Sequence, residues 1–510
     1  MSSAPTSGFP SRTLARHGEV RGINFNRRSS EFEGRFGRMF RSLAPAHGYT
    51  EQILTKLGMA MTADADPPTP ETEQDDEENT GISAGYTYLG QFIDHDLTFD
   101  PASSLQKQDD PDALVDFRTP RFDLDNLYGR GPDDQPYLYQ GDGRHLLLGP
   151  PLTGNSDDPN ARGVPRNQPS GADPARALIG DPRNDENVIV SQLQANMIRF
   201  HNGVVDLLGP AATFQECQQT VRWHYQWVVL NDFLPTIIGA DTWNKILPNM
   251  AKGTTVLEDP PHLHFYKPKK GAFMPVEFSV AAYRFGHSMV RPIYRLNQTI
   301  PRFPIFSTTG ESLVGFRAFP TNWAIDWRLF FKLGDAPPLG PTRIQPAYKI
   351  DTSLVNPLGT LPASVAANPP SLPVRNLLRG FRMDLPSGQS VARAMGIQPI
   401  PDAKLHVGKA NEADTPSNPL LTSISDVFKD NAPLWYYILA EAQQEFQNNN
   451  TPIHLGPVGG RIVGEVFVGL MMADSHSFLR QNPSFKPRPD FQSAGGTFGM
   501  AELLKQAKNA

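Results

Sequence analysis

Asp94, His95 and Asp96 stand in a row within GYTYLGQFIDHDLTFDPA, residues 85–102, with Gln91 four residues before the histidine. Two acids flanking a histidine are poor core material on an otherwise apolar stretch. If the stretch is helical, Gln91 and His95 share a face, being one turn apart. Asp94 and Asp96 then point to either side of it. One helix can so serve two sites: a pocket on the Gln91/His95 side and a cation held by Asp96. A hard cation such as Ca²⁺ needs several oxygen ligands at once. RTPRFDLDNLYG, residues 118–129, offers them. Thr119, Arg121, Asp123 and Asp125 are spaced by two, so an extended backbone turns them the same way. The side chains of Thr119, Asp123 and Asp125, the carbonyl of Arg121 and the carboxylate of Asp96 make a credible shell.

Other reactive residue types read as structural. His201 lies within a long helical pattern. His262 and His264 in PPHLHFY lack a partner cluster for a metal. Cys217 and His224 have no third member of a triad. With Cys217 the only cysteine, an internal disulfide framework is ruled out, and stability must come from packing, cofactor or metal.

The elements that position these residues read as helices joined by long ordered loops. Proline (49) and glycine (42) cluster between apolar-periodic stretches. Helices are predicted over Tyr49–Met61, over Ser83–Phe99 and over the stretch ending at Gly209-Pro210. Another begins at FQECQQTVRWHY and ends at Pro235 or Gly239, and a further one in PVEFSVAAYRFGHSMVRPIYRLN is limited by Pro292. PLWYYILAEAQQEF and GPVGGRIVGEVFVGLMMADSHSFL supply the C-terminal helices. Residues 63–78 are acidic and Pro-rich and read as a solvated loop. The expected organisation is an N-terminal arm and acidic loop over 1–80, a catalytic domain over 81–495 and a tail over 496–510. The formal net charge of -6 gives no electrostatic case for nucleic acid or anionic lipid. No apolar run is long enough to span a bilayer, and no Sec-type signal peptide is visible. Export by a non-Sec route and a cytoplasmic location are both consistent with that.

GQFIDHDLTFDP resembles the distal-helix signature of the animal-type haem peroxidases, the peroxidase–cyclooxygenase superfamily. Four further segments match in the expected order: TPRFDLDNLYG the calcium loop, GDPRNDEN the distal-arginine segment, YRFGHSMVRP the proximal-histidine helix, and LGPVGGRIVGEVFVGL a C-terminal helix. The resemblance covers about residue 80 to 490. It implies a mainly α fold, a single large helical domain enclosing a haem, with long loops and little sheet. It implies His95 as distal base, Arg183 as stabiliser of the charge that develops when peroxide splits, and Gln91 as organiser of distal water and halide. His287 is implied as proximal haem ligand and Asn376 as acceptor of its other N–H. Arg284 and Arg379 would hold the haem propionates, and Asp94 and Glu186 stand where family members esterify haem b. Asn187 replaces the methionine that forms a sulfonium link in myeloperoxidase-like members, so that bond cannot form and efficient chloride oxidation is not expected.

The function implied is reduction of hydrogen peroxide with oxidation of bromide, iodide, thiocyanate or phenolic donors, with haem b and Ca²⁺ as cofactors. The lack of disulfides and of a signal peptide is more like a bacterial member than a secreted animal one. A fatty-acid dioxygenase of the same superfamily is the first alternative. It needs a tyrosine three residues before the proximal histidine, where this chain has Arg284, and Tyr283 is one position early, about 100° round a helix. A haem- and calcium-binding module without turnover is the second. It would have no need of Gln91, His95 and Arg183 together.

Overall fold

The structure is a computed structural model. It describes residues 34–64, 76–98, 115–116, 118–171, 173–268, 271–307, 310–338, 340–363, 365–366, 368–411, 417–446 and 450–510. The longer helices are α1 (Glu51–Ala60), α2 (Ala84–Leu97), α3 (Val188–Leu208), α4 (Phe214–Val228), α5 (Leu234–Ile246), α6 (Leu372–Arg382), α7 (Leu434–Gln443), α8 (Pro457–Ala473) and α9 (Met500–Asn509). The fold is mainly α. Its sheet consists of short ribbons: Gly34–Gly37 runs parallel to Met274–Pro275 and antiparallel to Val115–Asp116, and Glu78–Ser83 pairs with Pro346–Tyr348.

Local chemistry sets the helix ends. Thr50 caps α1 by accepting from Ile53 N at 3.2 Å, and Asn187 caps α3 by accepting from Ile189 N and Val190 N at 3.1 and 2.9 Å. Such a cap contributes about 1 kcal/mol. Gly209, at φ 79, closes α3 as the Gly-Pro pair predicts. Around α2 the chain is crowded: a Cβ on Gly85 would stand 2.5 Å from Phe330 O. α8 packs on α5 through Gly464, where a Cβ would meet Ile246 Cδ1 at 2.4 Å.

Several expectations are corrected. Helix α2 begins at Ala84, and Phe99 lies outside the described residues. Pro235 does not end its helix. A π-helical turn at Val229–Phe233 precedes it and puts it in the first turn of α5, where its missing N–H is harmless. Gly239, at φ 73 and ψ 152, is not helical, so the helical run through Pro235 breaks there as the second predicted stop requires, and a further helical stretch continues to Ile246. The segment expected as one helix up to Pro292 is a π-helical turn (Glu277–Ala281) followed by a 3-10 turn (Ala282–His287), with Ile293–Tyr294 extended beyond.

The stretch over 1–80 is not merely an arm, because α1 is buried against α6 through Leu54 and Leu57. Residues 1–33 and 65–75 lie outside the described residues. At the end of the acidic run Glu78 is buried rather than solvated, paired with Arg291 (2.9 Å) and Arg343 (2.6 Å). Residues 496–510 are not a loose tail. Met500, Leu503, Leu504 and Ala507 form the buried stripe of α9, which lies on α3.

Candidate active site

Helix α2 carries the first wall of the site. His95 is 5% exposed, and its Nδ1 lies 2.7 Å from Asn184 Oδ1. Its Nε2 is 3.9 Å from Glu186 Oε1, too long for a hydrogen bond. Burial, reinforced by the charge of Arg183, lowers the imidazole to about 3, so the ring is neutral at any ordinary pH. Gln91 Nε2 donates to Glu186 Oε1, and Gln91 Oε1 accepts from Asn187 Nδ2 at 3.0 Å. Asn187 Oδ1 is already taken by the two N–H groups it caps, so its Nδ2 must be the end that faces Gln91. That in turn fixes Gln91 with its N–H toward Glu186. Burial raises Glu186 to about 7, against the opposing charge of Arg183 and with help from Asp181 and Asp94. Burial raises Asp94 too, opposed by Arg183 and Arg284.

Arg183 is turned differently from the sequence expectation. Its Nε and Nη2 bind Asp181 (3.1 and 2.7 Å), and Nη2 also donates to the carbonyls of His95 (3.1 Å) and Thr98 (2.5 Å). It clamps the C-terminal end of α2, where a cation suits the helix dipole. Its effect on His95 is electrostatic. Burial pushes Asp181 up, but Arg183 and Arg118 outweigh it and hold the carboxylate well below the usual range.

The second wall comes from the Ala282–His287 turn and α6. His287 is lowered to about 3 by burial and by Arg284. Asn376 Nδ2 lies 2.8 Å from His287 Nδ1, while Asn376 Oδ1 accepts from Arg284 Nη1 at 3.3 Å. The amide therefore donates here instead of accepting, because Arg284 occupies its oxygen. Acceptance of the ring N–H requires the amide to turn end for end. Burial lowers Arg284, and the like charges of Arg379 and Arg375 lower it further while Asp94 opposes them. Gln91, Asp94, Glu186, Arg284 and His287 sit deep in the protein yet keep part of their surface accessible, from which we infer a recess between them. Asp94 interacts with both Glu186 and Arg284, which links the two walls.

Beside α2, away from the recess, Asp96, Asp123 and Asp125 bring ligand oxygens within 4.8 Å of one another. Both carboxylate oxygens of Asp96 are buried outside good hydrogen-bond geometry, with the Tyr225 hydroxyl as their polar neighbour. Burial, then Asp123 and Asp125, raise its pKa. Thr119 Oγ1 joins the cluster by donating to Asp123 Oδ2 at 2.7 Å. The loop is not extended as the spacing suggests. It bends, and Leu124 at φ 59 turns Asp125 into a short helix, Asp125–Tyr128. The side chain of Arg121 lies 3.9 Å from Asp474.

A family model described as animal haem peroxidase matches residues 103–312. That segment is similar to the animal haem peroxidase family, and the match covers less than half of the chain. It contains the 119–125 loop, Arg183, Glu186, Arg284 and His287, while Gln91, Asp94, His95, Asn376 and Arg379 lie outside it. A chorion peroxidase of Drosophila melanogaster is 32% identical over 127 residues, 23% of this chain and 15% of its own length. A peroxidase-like protein of Margaritifera margaritifera is 31% identical over 122 residues, 22% of this chain and 14% of its own length. The aligned stretch thus spans only about a seventh of these curated relatives. Peroxidase A of Dictyostelium discoideum has the same fold, with a TM-score of 0.61 at 16% identity over 93% of both chains. A fatty acid alpha-dioxygenase of Arabidopsis thaliana gives 0.52 at 13% identity, over 91% of this chain and 74% of that one. No helix among the described residues is long and apolar enough to cross a membrane.

The residues fit a haem. His287 Nε2 makes no hydrogen bond among the described residues, and Arg284 feels the like charges of Arg379 and Arg375, which a carboxylate beside it would offset. The structural residues His201 and His224 have both ring nitrogens in use: His201 with Tyr128 and Arg144, His224 with Thr220 and Arg488. The sequence offered no signal for Asn184, Asp181 or Arg118. Arg118 bridges the two sites, reaching Asp125 at 3.0 Å and Asp181 at 2.7 Å.

Proposed function

We propose that this chain is a haem-dependent peroxidase that reduces hydrogen peroxide and oxidises small anionic or phenolic donors such as bromide, iodide, thiocyanate and phenols. The observation that carries this reading is a buried, neutral His95 on one wall of a recess with His287 and an arginine cluster on the other. Bound haem would supply the iron at which the peroxide O–O bond breaks. His287 Nε2 would ligate it, with Asn376 turned to accept the ring's N–H and Arg284 and Arg379 holding the propionates. His95 Nε2 takes the proton from one peroxide oxygen and returns it to the other. The positive charge of Arg183 beside it favours the charge separation, and Gln91, locked by Asn187, presents an N–H to the donor side of the recess. Asp94 and Glu186 border the same space and are the candidates for ester links to haem b. Thr119, Asp123, Asp125, the carbonyl of Arg121 and Asp96 would hold Ca²⁺, keeping α2 and hence His95 in place.

The dioxygenase reading is disfavoured by Tyr283. Its hydroxyl donates to Gly90 O at 3.2 Å and its ring stacks on Phe278 at 4.7 Å, which commits it to packing. The test is a pair of variants. His287→Ala should lose stoichiometric haem, and His95→Gln should keep haem while donor oxidation falls ~10²- to 10⁴-fold. Full haem binding by His287→Ala, or full turnover by His95→Gln, overturns the assignment.

A further inference from the structure

We infer that Asn184, held in turn by Gln194 and the backbone of Asn126, is a positioning residue that fixes the tautomer of His95. The inference rests on the reading of His95 as the distal base. The chain of hydrogen bonds has a fixed sense because it starts from a group that can only accept. Asn126 O is a backbone carbonyl, and Gln194 Nε2 lies 3.3 Å from it. A carbonyl cannot donate, so the nitrogen end of the Gln194 amide must face it. Gln194 Oε1 is then the end that meets Asn184 Nδ2, at 2.8 Å. This leaves Asn184 Oδ1 for His95 Nδ1, at 2.7 Å. An amide oxygen accepts only, so the ring proton sits on Nδ1 and the lone pair on Nε2.

Nε2 is the nitrogen on the Glu186 side of the ring, 3.9 Å from Oε1, and it is the one able to take a proton from a molecule in the recess. All three side chains are buried, Asn126, Asn184 and Gln194 each at 0% exposure. Water therefore does not compete for these bonds, and a misturned amide would face unpaired groups in a dry interior. Asn126 Nδ2 also donates to Phe92 O on α2, at 3.1 Å, so the relay starts from the same helix it serves. Asn126 directly follows Asp125, and the cation cluster and the base are thus joined by one line of buried amides.

The direct test is ¹⁵N NMR of the full-length protein labelled at histidine. It is recorded in the diamagnetic ferrous–carbon monoxide form, or on the chain as purified if that holds no haem. His95 signals are identified by their loss in His95→Gln. Because ring nitrogen shifts report tautomer without turnover, failure of this inference and failure of the peroxidase reading are separable. The expected spectrum has a protonated Nδ1 and a bare Nε2.

Two variants distinguish positioning from packing. Asn184→Asp keeps an acceptor for Nδ1–H, and Asn184→Leu removes it. Expected is retention of the tautomer and most of the peroxide reaction rate in the first. The second should show mixed tautomers and a rate lower by ~10²-fold with unchanged haem content. A purely structural role predicts the reverse order, since a buried carboxylate disturbs the interior more than a leucine of similar size. A bare Nδ1 in the wild type, or an unaltered tautomer in Asn184→Leu, overturns the inference.

Discussion

Asp96→Asn separates the cation site from ordinary packing because its effect should change sign with calcium. In the wild type both carboxylate oxygens of Asp96 are buried outside good hydrogen-bond geometry, beside Tyr225, Asp123 and Asp125. An unsatisfied buried polar group costs about 1–3 kcal/mol, and more if charged. Calcium bound to the folded chain stabilises it by about 4.1 kcal/mol at a thousand times Kd, a figure that already contains the relief of that penalty. For 510 residues, an unfolding entropy of about 2.1 cal/mol/K per residue gives about 1.1 kcal/mol/K. One kcal/mol therefore moves Tm by about 1 °C. In excess chelator, Asp96→Asn should melt about 1–3 °C above the wild type, since the like charge is gone. In saturating calcium it should melt below the wild type by about 1–3 °C, the wild type's calcium gain less the variant's advantage without calcium. The assay is thermal unfolding followed by circular dichroism on both proteins in both conditions. A wild-type Tm indifferent to chelator and calcium refutes the reasoning. So does a variant that shifts with calcium as the wild type does.

Related perturbations extend the account. In chelator the wild type should lose stability as pH rises through and above the ordinary carboxylate range. Burial, then Asp123 and Asp125, raise the folded pKa of Asp96, so its stabilising neutral form is fully present only at low pH, and Asp96→Asn should flatten that slope in a Tm–pH series. Asn376→Val, which removes the partner of His287 Nδ1, should weaken haem affinity ~10- to 100-fold, read by haem transfer to a scavenger protein. Asn187→Ala should destabilise by about 1 kcal/mol through the lost cap and also release Gln91, changing thiocyanate affinity in a Soret titration while Asn187→Ser, which keeps a capping oxygen, should restore stability but not affinity. Gly464→Val should destabilise by about 1–3 kcal/mol through overpacking against Ile246 without altering the absorption spectrum.

The sequence was legible where function and local geometry share one element. Gln91, Asp94, His95 and Asp96 are near neighbours on α2, and helical spacing alone assigns His95 and Asp96 to different sides. The loop acids were legible by composition but not by shape, because the spacing-by-two argument assumes a straight backbone and Leu124 bends it. What stayed hidden depends on partners far away in the chain. Asn184 meets His95 across 89 residues, and no periodicity marks it. Arg183 looked free to face peroxide, but Asp181, two residues before it, turns its guanidinium back onto the end of α2. The break before His287 was masked by an apolar run that suits α, π and 3-10 turns alike. The apolar spacing of Met500, Leu503, Leu504 and Ala507 carries the buried stripe of α9, but it lies beyond the last of the resembling motifs.

The central claim is that His95 acts on peroxide at a haem held by His287. Its most direct test is rapid mixing of the purified protein with one equivalent of hydrogen peroxide, followed at the Soret band, for wild type and His95→Gln. The account predicts a fast spectral change in the wild type that bromide, thiocyanate or a phenol reverses, slowed by at least ~10²-fold in the variant. A haem-loaded wild type that does not respond, or a variant that responds equally fast, would contradict it.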